Sequence, residues 1–229
     1  MDNIKKAALT GTGEPVSEAV LAKINAYTLT ELSAEQVFTF SINACDDQID
    51  RDGERFSVNA LQQLSKLFLG KTVIFDHAWT AEGQTARIFD SAVTESGGIH
   101  RLRLSAYMLA SNRNSGVIDA INAGILKEVS VGCAIDRVIC SVCGQGYYGC
   151  GHQHGEQYNG KTCVPILDNV VDAYEVSFVA VPAQPGAGVT KSATARLLDP
   201  DGDAAAKEHQ KALKLARARL ALHVRNANF

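Results

Sequence analysis

The sequence predicts a mainly β protein with flanking helices, an α+β arrangement built on an antiparallel, barrel-like sheet that is closed or nearly so. Three observations carry that expectation. Most apolar runs are strand-sized, and the clearest of them alternates apolar with polar residues. Helical periodicities interrupt the runs only at intervals, without the regular β-α alternation of a doubly wound sheet. The chain has 229 residues, 46% hydrophobic and 21% charged, which suits one core-bearing domain with appendages.

The elements follow in order. Residues 14 to 26 place Val16, Val20, Leu21 and Ile24 at helical spacing behind Ser17 and Glu18. Residues 36 to 44 alternate Phe38, Phe40 and Ile42 with Thr39, Ser41 and Asn43, the period of a half-buried strand. A polar turn follows from Asp46 to Gly53. It resembles an EF-hand loop at Asp50, Asp52 and Gly53, but Gln48 and Asn59 stand where the first Asp and the closing Glu belong, which favours a solvated turn. Ser57 then caps an amphipathic helix over 57 to 69 that stops at Gly70. Strands are expected over 71 to 77, 85 to 94 and 99 to 110, the last two joined by Ser96-Gly97-Gly98. A helix over 112 to 123 ends at Gly124, and a strand follows over 126 to 139. Beyond a cysteine-rich segment at 140 to 163, two apolar runs at 164 to 168 and 174 to 182 complete the core.

The organisation predicted is an N-terminal helical extension (1 to 34), a core domain (35 to 190) carrying the insertion 140 to 163, a linker (191 to 203), and a basic amphipathic C-terminal helix (204 to 229). That last helix reads as a solvated helix with one packed face or as a tether to a partner. Net charge is −3, which offers no electrostatic reason to expect a nucleic-acid partner. No apolar stretch reaches the roughly 20 residues of a membrane span. The N-terminus lacks a signal-peptide core, so an intracellular setting with reduced cysteines is expected.

Three segments carry the chemistry. Phe75-Asp76-His77-Ala78-Trp79, Glu128-Val129-Ser130-Val131-Gly132, and the run from Glu175 to Ala183 supply a histidine, a serine and a carboxylate in or beside strands. A serine hydroxyl becomes a nucleophile when a base takes its proton and a third group orients that base. The order His, Ser, Glu differs from those of the familiar serine hydrolases, and no Gly-x-Ser-x-Gly elbow is present. Singly, His77 reads as a polar strand-end residue, Ser130 as a small strand residue and Glu175 as an exposed carboxylate.

The local contexts resemble the prohead (procapsid maturation) proteases of tailed bacteriophages, relatives of the herpesvirus assemblin proteases, over about residues 36 to 190. The resemblance rests on Asp50-Arg-Asp-Gly-Glu-Arg-Phe56, His77 in Val-Ile-Phe-Asp-His, Ser130 in Leu-Lys-Glu-Val-Ser-Val-Gly, and Glu175-Val-Ser-Phe-Val-Ala-Val-Pro-Ala183. It implies a herpesvirus-protease-type core, with Ser130 as nucleophile, His77 as base and Glu175 in the more variable third place. Asp76, Glu128 and Asp172 are rival carboxylates. The herpesvirus branch uses arginines for its oxyanion hole just after the third segment. This chain has Pro182-Ala183-Gln184-Pro185 there, which points instead to backbone amides near Ala183 and Gln184 or to the Gln184 side chain.

Six cysteines are present. Cys140-x-x-Cys143, then Cys150-x-His152-x-His154, then Cys163 offer sulfur and imidazole ligands suited to a tetrahedral, structural zinc ion. The expected ligands are Cys140, Cys143 and Cys150 with Cys163 or His152, and His154 as an outside possibility. Cys45 and Cys133 read as buried, unreactive thiols.

What the resemblance implies is a serine endopeptidase that cleaves scaffold and major capsid protein segments in the procapsid interior, in a bacterial host cytoplasm. It would need no metal for catalysis, process itself near 188 to 203 or within the first 30 residues, and engage neither nucleic acid nor membrane. It is a possible homo-oligomer. The competing readings are a non-catalytic phage structural protein on the same barrel and a zinc-dependent hydrolase.

Overall fold

The computed structural model describes residues 16 to 190. The first half of the N-terminal extension, the linker and the basic C-terminal helix lie outside the described residues.

A first helix, α1 (Glu18–Asn25), is capped by Ser17, whose hydroxyl accepts from Val20 N at 3.3 Å. Strand β1 (Val37–Asp46) runs to the acidic turn, and a short β2 (Arg55–Phe56) leaves it. Helix α2 (Val58–Leu67) starts at Ser57, which accepts from Ala60 N at 3.0 Å, and the chain leaves it through Gly70 at φ 77°. Strand β3 (Thr72–Phe75) leads into the hairpin of β4 (Ala86–Ser96) and β5 (Ile99–Leu109). Its turn needs positive φ at Gly97 (62°) and Gly98 (76°), which glycine adopts without steric cost. Helix α3 (Ser115–Asn122) precedes β6 (Val129–Cys140). A small hairpin, β7 (Gln157–Tyr158) with β8 (Lys161–Thr162), lies in the cysteine-rich segment. Strand β9 (Pro165–Phe178) and a short β10 (Gly188–Thr190) finish the sheet.

The main sheet runs β10-β1-β5-β4-β3-β9-β2, with β6 also paired to β9. The mainly β, α+β class is as expected, but the sheet is mixed and does not close into a barrel. Strands β2 and β3 both pair with β9 in parallel, and the other pairings are antiparallel. Parallel neighbours need long crossovers, and here more than half the domain intervenes between β3 and β9. The β10 edge touches the chain entering β6 at an isolated bridge, Glu128 opposite Gly188, backed by Val189 N donating to Lys127 O at 2.7 Å.

Strand β9 is one strand of 14 residues where the sequence suggests two separate apolar runs. The polar residues at its middle stay in the ladder because each has a partner: Gln63 donates to Asn169 at 2.8 Å, Arg137 pairs with Asp168, and Lys71 pairs with Asp172 at 3.2 Å. The second run stops at Phe178 rather than 182, ahead of an exposed Val181 and a Pro182 that has no N–H to donate. β6 and β9 form one long antiparallel hairpin with the cysteine-rich insertion at its tip.

The core lies between α2 and α3 and one face of the sheet. Leu61, Leu64 and Phe68 are fully buried against Ile42, Leu102, Leu104, Val73 and Val176. Each such side chain is worth about 1.5–3 kcal/mol of burial. A second cluster, Ile24, Val37, Phe89 and Tyr107, seats α1, and Lys23 reaches Asp90 at 2.6 Å. Among the described residues no helix is long and apolar enough to cross a membrane.

Candidate functional site

A cleft of about 550 Å³ opens between β6 and the turn that follows β1. His77, Ser130 and Glu175 all line it, brought from three separate segments. The register explains the convergence. Ser130 lies opposite Ser177 and Gly132 opposite Glu175 across the β6–β9 ladder, while Ile74 and Phe75 of β3 lie beside Ser177 and Phe178. His77 follows β3 directly, so the neighbouring strands deliver all three residues to one place.

His77 sits on a strained turn. Asp76 (φ 50°) and His77 (φ 54°) are consecutive left-handed residues, a conformation costing roughly 1–3 kcal/mol for each non-glycine residue. Three hydrogen bonds hold it: Asp76 N to Phe178 O at 2.9 Å, Ala78 N to Phe75 O at 2.9 Å, and His77 N to the Ser177 hydroxyl at 3.0 Å. Backbone strain held by surrounding contacts is concentrated at functional sites.

Glu175 is 2% exposed, yet its carboxylate is fully employed. Oε1 lies 2.7 Å from His77 Nδ1, and Oε2 accepts from the Ser177 hydroxyl at 2.5 Å. The result is a closed bracket in which the His77 N–H donates to Ser177, Ser177 donates to Glu175, and Glu175 accepts from the His77 ring. A carboxylate accepts, so this contact suits the tautomer with its proton on Nδ1, which presents the Nε2 lone pair of a general base. The role of Ser177 was missed at the level of sequence. The i, i+2 spacing of a serine behind a carboxylate was the available signal.

Gly132 was also missed as part of the site. A Cβ there would collide with Glu175 Oε1, so the absence of a side chain opens the space the carboxylate occupies. Of the rival carboxylates, Asp172 is committed to Lys71, and neither Asp76 nor Glu128 is among the cleft-lining residues. Among the described residues no hydrogen bond joins Ser130 Oγ to His77, though both line the cleft.

The Gln184 side chain is removed from the oxyanion candidates. It is 6% exposed and spends all its polar atoms as a clamp, accepting from Asp46 N at 3.0 Å and donating to Asp46 O at 3.4 Å and Gln48 O at 3.2 Å. Asp50, Asp52 and Glu54 form an acidic stretch of cleft wall. Asp50 Oδ1 accepts from Asp52 N and Glu54 N at 3.0 and 3.1 Å, so it closes its own turn as the sequence suggested. Burial raises the carboxyls of both Asp50 and Glu54 above the usual range. On the other side Trp79, 69% exposed, meets Tyr174 with ring centroids 5.3 Å apart. This pair also lines an adjoining hollow of about 430 Å³.

Cys45 is buried as expected, but Cys133 is half-buried and lines the cleft. Burial, with Glu54 and Glu175 nearby, pushes the Cys133 thiol up to about 11, so it stays protonated at neutral pH.

In the insertion, the ligand atoms of Cys140, Cys143, Cys150 and His152 all lie within 4.8 Å of one another, a group that can hold a metal ion. Cys140 Sγ is 3.7 Å from His152 Nδ1 and 3.6 Å from Cys163 Sγ, so both residues weighed for the fourth place stand beside it. His154 does not: its Nε2 donates to Gly53 O at 3.0 Å instead. Burial opposes ionisation of Cys140, but the amides of Cys143 and Val142 and the thiols of Cys163 and Cys150 outweigh it and bring the thiol down to about 6.

No family model, no curated protein and no solved structure matches the chain.

Proposed function

We propose that this protein is a serine endopeptidase of the prohead-protease type, with Ser130 as nucleophile, His77 as general base and Glu175 as the group that orients and charges the imidazole. One observation carries the reading: a buried carboxylate 2.7 Å from Nδ1 of a half-exposed histidine, in the same cleft as a strand serine. Attack by Ser130 Oγ on a peptide carbonyl would pass its proton to His77 Nε2, and His77 would then return it to the leaving amine. The imidazolium formed in between faces the Glu175 carboxylate. The cleft, with Trp79 and Tyr174 in its lining, has room for a peptide segment. On this reading the substrates are scaffold and major capsid protein segments in a phage procapsid within the host cytoplasm. Self-processing near 188 to 203 or in the first 30 residues belongs to the same proposal.

The insertion is read as a structural zinc site. Bond lengths of about 2.3 Å to sulfur and 2.0 Å to nitrogen give tetrahedral edges of about 3.8 Å between two sulfurs and about 3.5 Å between sulfur and nitrogen. The distances from Cys140 to His152 (3.7 Å) and to Cys163 (3.6 Å) lie close to these edges. A full set of protein ligands leaves no open position for substrate, which counts against a zinc-dependent hydrolase.

Treatment with a fluorophosphonate, followed by intact mass and peptide mapping, tests the proposal. Modification confined to Ser130 and abolished in His77→Ala is expected. Wild type and Ser130→Ala should differ in intact mass if the chain processes itself. A folded protein that neither reacts at Ser130 nor cleaves peptides would leave the non-catalytic structural protein as the better reading. Peptide cleavage lost on chelation while Ser130→Ala leaves it intact in the zinc-loaded protein would favour the zinc hydrolase.

A further inference from the structure

The cysteine-rich insertion reaches, through His154, the turn that carries Asp50, Asp52 and Glu54 of the cleft wall. His154 lies between the candidate ligands His152 and Cys163, and its loop is clamped to both neighbourhoods. Gly155 N donates to Cys163 O at 2.8 Å, Cys163 N donates to Glu156 O at 2.8 Å, and the His152 ring packs edge-on against Tyr158 at 4.4 Å. The far end of His154 donates to Gly53 O at 3.0 Å. The fit at that contact leaves no room for a side chain: a Cβ on Gly53, which has φ 76°, would come 2.5 Å from His154 Nε2.

Gly53 belongs to a turn that is held as one piece. Asp50 N donates to Glu54 O at 2.9 Å, Gly53 N to Asp50 O at 3.2 Å, and Arg51 N to Ala183 O at 3.0 Å. Whatever positions Gly53 therefore also positions the acidic cleft wall at Asp50, Asp52 and Glu54.

We propose that the Cys/His cluster works as a strut for the cleft: a metal ion held there fixes His154 against Gly53, and His154 in turn sets the acidic wall. His154 is thus a positioning residue, acting through the Gly53 carbonyl and not as a metal ligand. This rests on the metal part of the reading above and is independent of the peptidase part. Without the ion, the loop keeps a hairpin of two two-residue strands and a few hydrogen bonds, such as those of Ser141 to Thr162 and Val164, which hold it less firmly than a metal centre would.

Hydrogen exchange of the full chain tests the strut without any appeal to activity. The wild type, His154→Ala and His154→Gln are compared after loading with zinc and after stripping with a chelator, with bound metal measured directly. In the wild type, stripping is expected to speed exchange of amides 51–54 by about five- to tenfold, the scale of one lost hydrogen bond, while the β1–β5 ladder stays protected. Zinc-loaded His154→Ala should show the same local acceleration with its metal content intact. Stripping it should add nothing in that turn, and His154→Gln, which keeps an N–H donor, should restore protection. The strut is refuted if stripping loosens 140–163 but not 51–54, if the two perturbations add, or if the β1–β5 ladder loosens equally. Failure to bind zinc at all defeats the metal reading and with it the strut, and labelling of Ser130 would still report on the peptidase separately.

Discussion

Replacing Glu175 by glutamine isolates the contribution of its charge. The carboxamide is isosteric and keeps an oxygen for the Nδ1–H of His77, so the fold is expected to survive. Two unit charges about 4 Å apart in a medium of effective dielectric about 20 attract by about 4 kcal/mol. The imidazole is 43% exposed, and solvent screening leaves roughly half of that, about 2 kcal/mol, to stabilise the imidazolium formed as Ser130 attacks. The amide nitrogen also takes the place of Oε2, which accepts from Ser177 at 2.5 Å, and this loosens the bracket by a further 1–2 kcal/mol or so. Together these predict a fall of about 10²- to 10³-fold in the rate at which a fluorophosphonate modifies Ser130 at neutral pH, since each tenfold corresponds to about 1.4 kcal/mol. The rate is read by intact mass, with thermal melts as the control for folding. Asp172→Asn, which breaks only the 3.2 Å pair with Lys71, should leave the rate unchanged. A Glu175→Gln rate within about threefold of wild type, in a protein that melts normally, would show that Glu175 is a buried structural carboxylate and not part of the machinery.

Three further outcomes follow from the same geometry. Gly132→Ala forces Glu175 Oε1 away from His77, so it should slow labelling by about 10²-fold and add little to Glu175→Gln in the double variant; independent, additive effects would contradict this. Ser177→Ala strands Glu175 Oε2 and the His77 N–H without their partner and should cost about 2–4 kcal/mol in urea unfolding, whereas a loss below about 0.5 kcal/mol would mean the bracket is dispensable. Burial first, then Asp50 and Asp52, raise the Glu54 carboxyl, so the folded chain holds that proton to a higher pH than the unfolded chain does. Stability from this group is complete below the unfolded value and is lost as pH rises through the folded one. Glu54→Gln should therefore stabilise the protein at pH 7 and give no gain below about pH 4. Equal denaturation midpoint differences at the two pH values would refute the linkage.

Local pattern made a good part of this protein legible from its sequence. Ser17 and Ser57 cap α1 and α2, Gly70 and Gly97-Gly98 occupy the turns that need positive φ, and the alternation of Phe40 and Ile42 marks the buried face of β1. Each depends on residues a few positions apart, where period and capping chemistry act directly. The segments carrying His77, Ser130 and Glu175 were visible for the same reason, as were the cysteines of the insertion. The parallel pairing of β2 and β3 with β9 was hidden, and so was the open sheet, because pairing direction depends on which distant strands the core brings together. The continuity of β9 was hidden too, since Asp168, Asn169 and Asp172 look like a break until Arg137, Gln63 and Lys71 arrive to pair with them.

The site divides along the same line. Residue types and order belong to the sequence. Only the tertiary structure brings the Glu175 carboxylate to 2.7 Å from His77 Nδ1, sets the Ser177 hydroxyl under the His77 N–H, clears space at Gly132, turns Gln184 into a clamp and sends His154 to Gly53 instead of the metal cluster. Those outcomes turn on hydrogen bonds and steric fit across 43 to 138 positions of chain, distances over which one-dimensional pattern carries no geometry.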